Sequence, residues 1–274
     1  SFSDLAVFAG LAVLGGLLTL RLLPLQGTLR IGVMVFSAIA LFILALANTS
    51  LIWGIIALVT LGLFVEAVMR RAPTSSDSDL EGVSVLTESE GGGNSGEQSL
   101  AAPLAVLAIS LFFLIGGNIA GALSTALNAT VVEVRPSWQS TLATGRDVYS
   151  SSPVFGSGPN TFGIDWLRNR DVTLNQTVFW NVDFPMGIGF LPTSFVTTGA
   201  LGALAWLLFM AAILYLGARA IVLRTAEDPF IRFVTIFSFG AVVYLLIIAT
   251  LLNAGTITLA FLFVTTGRFA SVLR

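Results

Sequence analysis

The sequence predicts an all-α protein: a multi-pass transmembrane helix bundle of about seven helices with an ordered extracytoplasmic loop of short helices and turns. Apolar residues make up 55% of the chain and charged residues 10%. Roughly a quarter of the residues in a soluble domain are charged, so this chain has too few charges to cover its surface in water. Apolar runs also recur along the sequence at about the 20-residue length that a bilayer core requires.

Seven apolar stretches are predicted to cross the membrane. The first and the last are short, so their ends should snorkel or lie partly in the interface. The resulting division is three transmembrane helices (1–71), a flexible acidic cytoplasmic loop (72–99), a fourth helix (100–122), an extracytoplasmic loop domain (123–195) and three final helices (196–274). The stretches are Leu5–Leu20, Ile31–Ala47, Leu51–Met69, Ala101–Ala122, Val196–Leu216, Phe233–Leu252 and Thr256–Thr266.

Arginine positions predict the orientation, because cytoplasmic loops are enriched in positive charge and successive helices alternate in direction. The turns at Asn48–Ser50 and Asn253–Gly255 hold no arginine, whereas the turns on the opposite side hold several. The N-terminus should therefore lie outside a bacterial cytoplasmic membrane, with the C-terminus in the cytoplasm and the segment 123–195 outside. The arginines on the cytoplasmic side are Arg21, Arg30, Arg70, Arg71, Arg219, Arg224, Arg232, Arg268 and Arg274.

The composition argues against several kinds of site. The chain has no cysteine and no histidine, so disulfides, thiolate ligands and imidazole ligands are not available. The external carboxylates Asp147, Asp165 and Asp171 show no ligand spacing that a divalent ion would recognise. We therefore expect no metal site. We also expect no cofactor and no nucleic acid partner.

Few polar residues fall inside the apolar stretches. Glu66 precedes Arg70 by four residues, so a helical i,i+4 pair accounts for it. Asn118, beside Gly116 and Gly117, fits an interhelical hydrogen bond at a close helix contact. No chain of buried acids, no pair of broken helices and no inverted repeat is evident, which argues against a transporter.

The two long polar segments differ in kind. Residues 72–99 are rich in serine, glycine and acids with almost nothing to bury, which predicts a flexible loop. Residues 123–195 contain Trp138, Trp166 and Trp180 together with Ser-Pro, Gly-Pro and Phe-Pro turns, which favour an ordered cap. For Trp166 and Trp180, an aromatic belt at the membrane interface is the alternative.

Four arginines lie in the external segment, against the orientation bias: Arg135, Arg146, Arg168 and Arg170. Their planar forks suit an anionic group at the membrane surface, such as the pyrophosphate of a lipid carrier. A simpler alternative is that long loops cross the membrane regardless of charge.

Glycines at 156 and 158 stand beside Pro159 and Asn160 in the run VFGSGPN. Their backbone N–H groups could approach an anion, or the glycines could simply form a tight turn. No strand precedes this pattern and no lysine follows it, so it does not match a nucleotide-binding fingerprint.

The run RPSWQSTLATGRDVYSSSPVFGSGPNTF at 135–162, followed by TTGALGALAWL at 197–207, resembles the external loop and following helix of the O-antigen ligase and polymerase-like membrane proteins. Those proteins carry an arginine, a tryptophan, a phrase like P-L-F-G-V-G-P-x-x-F and, ahead of T-G-L-L-G, a phrase H-N-x-x-L. Their large external loop is followed by three helices, as expected here.

The resemblance implies transfer of a glycan from an undecaprenyl pyrophosphate donor to an acceptor on the outer face of the membrane. It assigns Arg135 to the first arginine of the family, and Gly156, Gly158, Pro159 and Phe162 to the turn. The family's histidine and asparagine fall on Ile188 and Gly189, so the histidine base is missing. Asp183 is the nearest acid that could replace it; the alternative is a turn-forming aspartate before Phe-Pro.

Two hypotheses follow. The first is a membrane glycosyltransferase acting on cell-envelope polysaccharide, with Asp183 as the catalytic residue. The second is a ligase-like scaffold that has lost catalysis and anchors a lipid-linked glycan. The partners in either case are membrane lipid and a polyprenyl-linked glycan. The scaffold would also serve a partner domain outside this chain, since the start at Ser1 without a leader suggests a piece of a longer protein. The predicted substrate-binding residues are Arg135, Trp138, Arg146, Gly156, Gly158, Asn160, Arg168 and Arg170.

Overall fold

A computed structural model describes residues 2–47, 49–71, 101–116, 121–122, 125–126, 134, 136–170, 176, 180–223 and 228–273. The acidic segment 72–99, Asn118 and Arg135 lie outside the described residues. Within the described residues the protein is all-helical, with no strand. The helices are α1 (Phe2–Leu22), α2 (Gly27–Ala47), α3 (Ser50–Arg71), α4 (Ala101–Ile115), α5 (Trp138–Ser151), α6 (Phe162–Asn169), α7 (Phe190–Leu223), α8 (Pro229–Leu251) and α9 (Thr256–Val272).

Seven of these helices are apolar along most of their length, and each overlaps one of the seven stretches predicted from the sequence. Four are long and apolar enough to cross a membrane: Ser3–Leu22, Gly27–Ala47, Phe190–Ile221 and Pro229–Leu251. The other three apolar helices are shorter, at Ser50–Glu66, Ala102–Ile115 and Thr256–Val272. Crossing by those three stays a prediction. The first helix is 21 residues long, so the short first span predicted from the sequence was wrong.

The core of the bundle forms where α1, α3 and α8 meet. Ile52, Trp53 and Leu245 are fully buried there. The Tyr244 hydroxyl donates a 3.0 Å hydrogen bond to the Val7 carbonyl, which ties α8 to α1. Side chains that are apolar all round the helix suit burial against other helices and lipid, so the outward faces of these helices stay apolar.

Polar contacts mark the two ends of α1. At its start, the Asp4 carboxylate accepts hydrogen bonds from the Gly255 amide at 3.2 Å and the Thr258 hydroxyl at 2.6 Å. At its end, Arg21 Nη2 lies 3.0 Å from Glu66 Oε2. Glu66 was expected to pair with Arg70, whose side chain lies outside the described residues, and the contact with Arg21 joins α1 to α3.

The short helices α5 and α6 form an ordered cap at the end of the bundle that contains Asp4. Gly189, which leads from the cap into α7, lies directly against the Thr250 carbonyl at the end of α8. Ser137 begins α5, because its hydroxyl accepts a hydrogen bond from the Ser140 amide. The expected short helices and turns are therefore present, whereas the side of the membrane that they face stays a prediction.

Trp166 is part of the cap's interior. It is 3% exposed and packs with Val148, Phe162 and Val196 in a small apolar cluster. Its ring meets Phe184 edge-on, with the centroids 5.3 Å apart. The interfacial-belt interpretation is therefore wrong for Trp166.

Helix α7 is broken at Gly199, where the backbone adopts φ 65° and ψ −162°. The broken turn leaves amide and carbonyl groups without helical partners, and a membrane helix tolerates this only where other protein groups satisfy them. The turn between α5 and α6 does so: the Ala200 amide donates to the Pro153 carbonyl at 2.9 Å, and the Gly158 amide donates to the Thr197 carbonyl at 2.8 Å. The sequence predicts no pair of broken helices, and this single break has no visible signal in the residues around Gly199.

Candidate functional site

The glycine turn 153–158 docks against the break in α7. Gly156 has φ 69°, and a Cβ at this position would lie 2.5 Å from the Val196 carbonyl oxygen and 2.6 Å from the Gly199 nitrogen. Both runs that carry the family resemblance, 135–162 and 197–207, thus meet at this contact. No side chain larger than hydrogen fits between the two backbones.

The amides of the two turn glycines are already used within the protein. The Gly156 amide donates to the Ser152 carbonyl at 3.0 Å, and the Gly158 amide donates to Thr197. Of the two alternatives for this glycine pattern, the structure has the tight turn. These two N–H groups are not available to an anion in this conformation.

A polar cavity of about 390 Å³ opens between α5, the glycine turn and α6. Helix α5 and its C-cap contribute Val148, Ser151 and Ser152, and the turn contributes Gly156 and Ser157. Its volume lies within the ~300–1,000 Å³ range of small-molecule sites. The cavity is the candidate functional site because hydroxyl and charged groups converge on it.

Helix α6 supplies the charged wall of the cavity. Thr161, Ile164, Asp165 and Arg168 line it at the spacing i, i+3, i+4 and i+7, which places them on one face of the helix. The opposite face carries Phe162 and buries it in the cap. Asp165 lies at the boundary of the two faces, so it is buried and also lines the cavity.

Among the described residues, Asp165 carries the one charged-group oxygen that is buried without a hydrogen-bond partner. The residue is only 7% exposed, and its Oδ2 atom is shielded from water with no hydrogen-bond donor in contact. The other buried atoms without partners in the described part of the chain belong to neutral groups, on Trp53, Trp166 and Ser194. Leaving a buried acceptor without a donor costs about 1–3 kcal/mol, and more when the group is charged.

The sequence predicts no role for Asp165, which it presents as one of several isolated external carboxylates. The signal available in the run FGIDWLRN was the i,i+3 spacing of Asp165 and Arg168 on a helix whose remaining face is aromatic. That spacing predicts a shared face. It does not predict burial, because burial depends on residues from α5 and α7.

The predicted arginines do not converge as a group. Arg168 lines the cavity and makes no hydrogen bond or ion pair with any described residue. Arg170 Nη1 instead donates to the Trp180 carbonyl at 2.9 Å, which is a structural contact within the cap. Arg146 is exposed on α5, about 200° around the helix from the cavity-lining Val148. Arg135 lies outside the described residues.

The remaining predicted site residues do not line the cavity. Trp138 is exposed at the first residue of α5, and Asn160 is exposed with φ 61°, where it shapes the turn. Asp183, the predicted catalytic residue, is exposed in the loop before α7 and does not line the cavity. Its carboxylate therefore faces solvent, outside the cavity that Arg168 lines.

The position expected for the family's histidine is occupied by structural contacts. Ile188 is buried, and its amide donates to the Thr141 hydroxyl at 3.0 Å. At Gly189 a Cβ would lie 2.5 Å from the Thr250 carbonyl oxygen. This part of the chain serves to fix α5 and α8 against the start of α7.

Tyr149 ties α5 to α7 by a hydrogen bond. Its hydroxyl donates a 3.0 Å hydrogen bond to the Phe195 carbonyl, just before the break in α7. Burial raises the pKa of the Tyr149 hydroxyl above the ordinary tyrosine value. No group of three or more potential metal-ligating side chains occurs within the described residues.

Comparison with protein-family models, with curated proteins and with solved structures finds no match. The similarity to O-antigen ligases therefore rests on the two runs quoted above. What it implies about activity is a proposal.

Proposed function

We propose that this chain is a membrane glycosyltransferase of the O-antigen ligase type. It would transfer a glycan from a polyprenyl-pyrophosphate carrier to an acceptor on the outer face of the bacterial cytoplasmic membrane. The observation that carries the proposal is Arg168, an arginine without a described protein partner in the wall of a polar cavity. The runs that resemble the ligases build the neighbouring turn and its contact with α7.

The chemistry of the cavity wall suits this reaction. An arginine fork binds phosphate oxygens through paired, charge-assisted hydrogen bonds. When the bond between the sugar and the diphosphate breaks, negative charge grows on the leaving oxygen, and a guanidinium beside that oxygen stabilises the charge. Arg168 is the described arginine in a position to do this beside the hydroxyls of Ser151, Ser152 and Thr161.

A second candidate is a scaffold that binds a lipid-linked glycan without transferring it. Two observations favour it: Ile188 and Gly189 occupy the place of the family's base with buried backbone contacts, and the predicted substitute Asp183 is exposed. Both candidates use the same cavity and Arg168. They differ in whether a bond is formed.

The test uses the chain reconstituted in lipid nanodiscs with a fluorescent glycan on a short polyprenyl diphosphate and a soluble acceptor sugar. We expect transfer by the unaltered protein and a loss of about a hundredfold in Arg168→Gln, the magnitude typical for removing one charge-stabilising group. The matched control is Arg219→Gln, an exposed arginine on α7 beyond the cap. Glycolipid binding without transfer would establish the scaffold, and the absence of both would overturn both candidates.

A further inference from the structure

The hydroxyls around the cavity offer acceptors more than donors. The Ser151 hydroxyl donates its proton to the Val148 carbonyl at 3.0 Å. The Thr161 hydroxyl lies 2.7 Å from both the Gly158 carbonyl and the Ser157 hydroxyl, and it donates within the turn. Their free lone pairs, together with the carboxylate of Asp165, form a wall that accepts hydrogen bonds.

Arg168 adds a single strong cationic donor to this wall. Residues at i and i+3 on a helix have their Cβ atoms about 5–6 Å apart, so Asp165 and Arg168 can contact one ligand at adjacent groups. The ligand class that fits carries several hydroxyl donors for the wall and an anionic group for Arg168. A glycosyl phosphate or diphosphate has both.

Such a ligand can contact the largely buried carboxylate. Because Oδ2 is shielded, a ligand hydroxyl in the cavity meets the carboxylate through its other oxygen, and that hydrogen bond lowers the cost of keeping the charge largely buried. Asp165 has no described protein partner with which a ligand would compete. Asp183 lacks this environment because it is exposed to solvent.

We infer that Asp165 binds the acceptor hydroxyl in the cavity and accepts its proton during glycan transfer, an inference that rests on the proposed function. The acceptor oxygen forms a bond to the anomeric carbon as the bond from that carbon to the diphosphate oxygen breaks. The bonding electron pair leaves with the diphosphate, which Arg168 holds. The proton of the acceptor hydroxyl passes to the Asp165 carboxylate.

The experiment compares Asp165→Asn, which keeps the shape and removes the base, with Asp165→Glu, which keeps the carboxylate. A positioned base contributes typically ~100- to 10,000-fold to the rate. We expect kcat to fall at least a hundredfold in Asp165→Asn while the Kd of the fluorescent glycosyl diphosphate rises only severalfold, because the Asn carbonyl oxygen still accepts a hydrogen bond. Asp165→Glu should recover part of the rate. The acid limb of the pH–rate profile should disappear in Asp165→Asn.

Two further variants make the result specific. Asp147→Asn changes an exposed carboxylate on α5 and should leave kcat and the pH profile unchanged. Asp183→Asn tests the rival base. A full rate in Asp165→Asn with an intact acid limb, or loss of the acid limb in Asp183→Asn alone, would overturn the role of Asp165 and leave the proposed function standing. A wild-type protein that transfers no glycan would overturn the proposed function itself.

Folding is checked separately, because Asp165 is buried. If Asp165→Asn melts at the wild-type temperature and binds the glycosyl diphosphate, its loss of rate is chemical and supports the inference. If Asp165→Asn unfolds, Asp165→Ser, which removes the carboxylate with a small side chain, is compared with Asp165→Glu. A folded Ser variant with a lowered kcat that the Glu variant restores supports the role, and a Ser variant with wild-type kcat and pH profile overturns it.

Discussion

Gly156 and Gly199 face each other backbone to backbone: a Cβ on Gly156 would lie 2.6 Å from the Gly199 nitrogen, and a Cβ on Gly199 would clash with the Gly156 nitrogen. Both residues have positive φ angles, of 69° and 65°. The contact joins the turn that walls the cavity to the break in α7. The position of the cavity therefore depends on two residues that have no side chain.

Substitution of Gly199 by alanine should destabilise the protein strongly. The new Cβ meets the turn backbone, and alanine at this φ and ψ costs about 1–3 kcal/mol in strain alone. Gly240→Ala is the matched control, since a Cβ there meets nothing within 4 Å. Removing a helical glycine at an open position should stabilise by up to ~1 kcal/mol. Apparent melting temperatures in detergent check this, and equal shifts in both variants would contradict it.

Tyr149→Phe should loosen α5 from α7. It removes the hydrogen bond to the Phe195 carbonyl, a net loss of about 0.5–1.5 kcal/mol in the free energy of unfolding. Tyr215→Phe, on an exposed face of α7, is the control and should change little. The measurement is the melting temperature of each variant relative to the wild type.

The effect of Tyr149 should also depend on pH. Burial raises its pKa, so the folded state favours the neutral hydroxyl. The stabilisation is fully present below the ordinary tyrosine pKa of about 10 and is lost as the pH rises through the folded value. The difference in melting temperature between the wild type and Tyr149→Phe should stay constant up to about pH 9 and shrink above pH 10. A difference in melting temperature that grows in this range would show that folding lowers the pKa of Tyr149 and does not raise it.

Asp4→Ala should weaken the junction between α1 and α9. The carboxylate caps the start of α9 from another helix by accepting from the Gly255 amide and the Thr258 hydroxyl. Loss of an N-capping group costs about 0.5–2 kcal/mol. Thr258→Val removes one of the two donors, so the double variant should be less destabilised than the sum of the singles. Strict additivity would show that the two side chains act independently.

The orientation can be tested with single cysteines, because the natural chain has none. Gln139→Cys lies on an exposed part of α5, and Gln26→Cys lies in the exposed turn between α1 and α2, at the opposite end of the bundle. A membrane-impermeant maleimide applied to intact cells should label Gln139→Cys, and should label Gln26→Cys only after permeabilisation. The reverse pattern would place the cap in the cytoplasm and exclude an outer-face reaction.

The sequence by itself determined where the apolar helices lie, because long runs of apolar side chains have few structural solutions other than helices packed together or in lipid. It also indicated an ordered segment after α4 and singled out Gly156 and Arg168. Helix ends were less well predicted: α7 begins at Phe190 and not at Val196, since backbone contacts with Thr141 and Thr250 hold its start.

Only the tertiary structure decided what the candidate residues do. The break at Gly199 exists because backbone groups from residues 153–158 satisfy the opened turn, and no local pattern around Gly199 encodes that distant partner. Asp165 is buried because α5 and α7 close over α6, whereas Asp183, an equally good acid in the sequence, stays in solvent. Burial is a property of neighbours brought together from separate parts of the chain, so it separates two carboxylates that the sequence alone presents as equivalent.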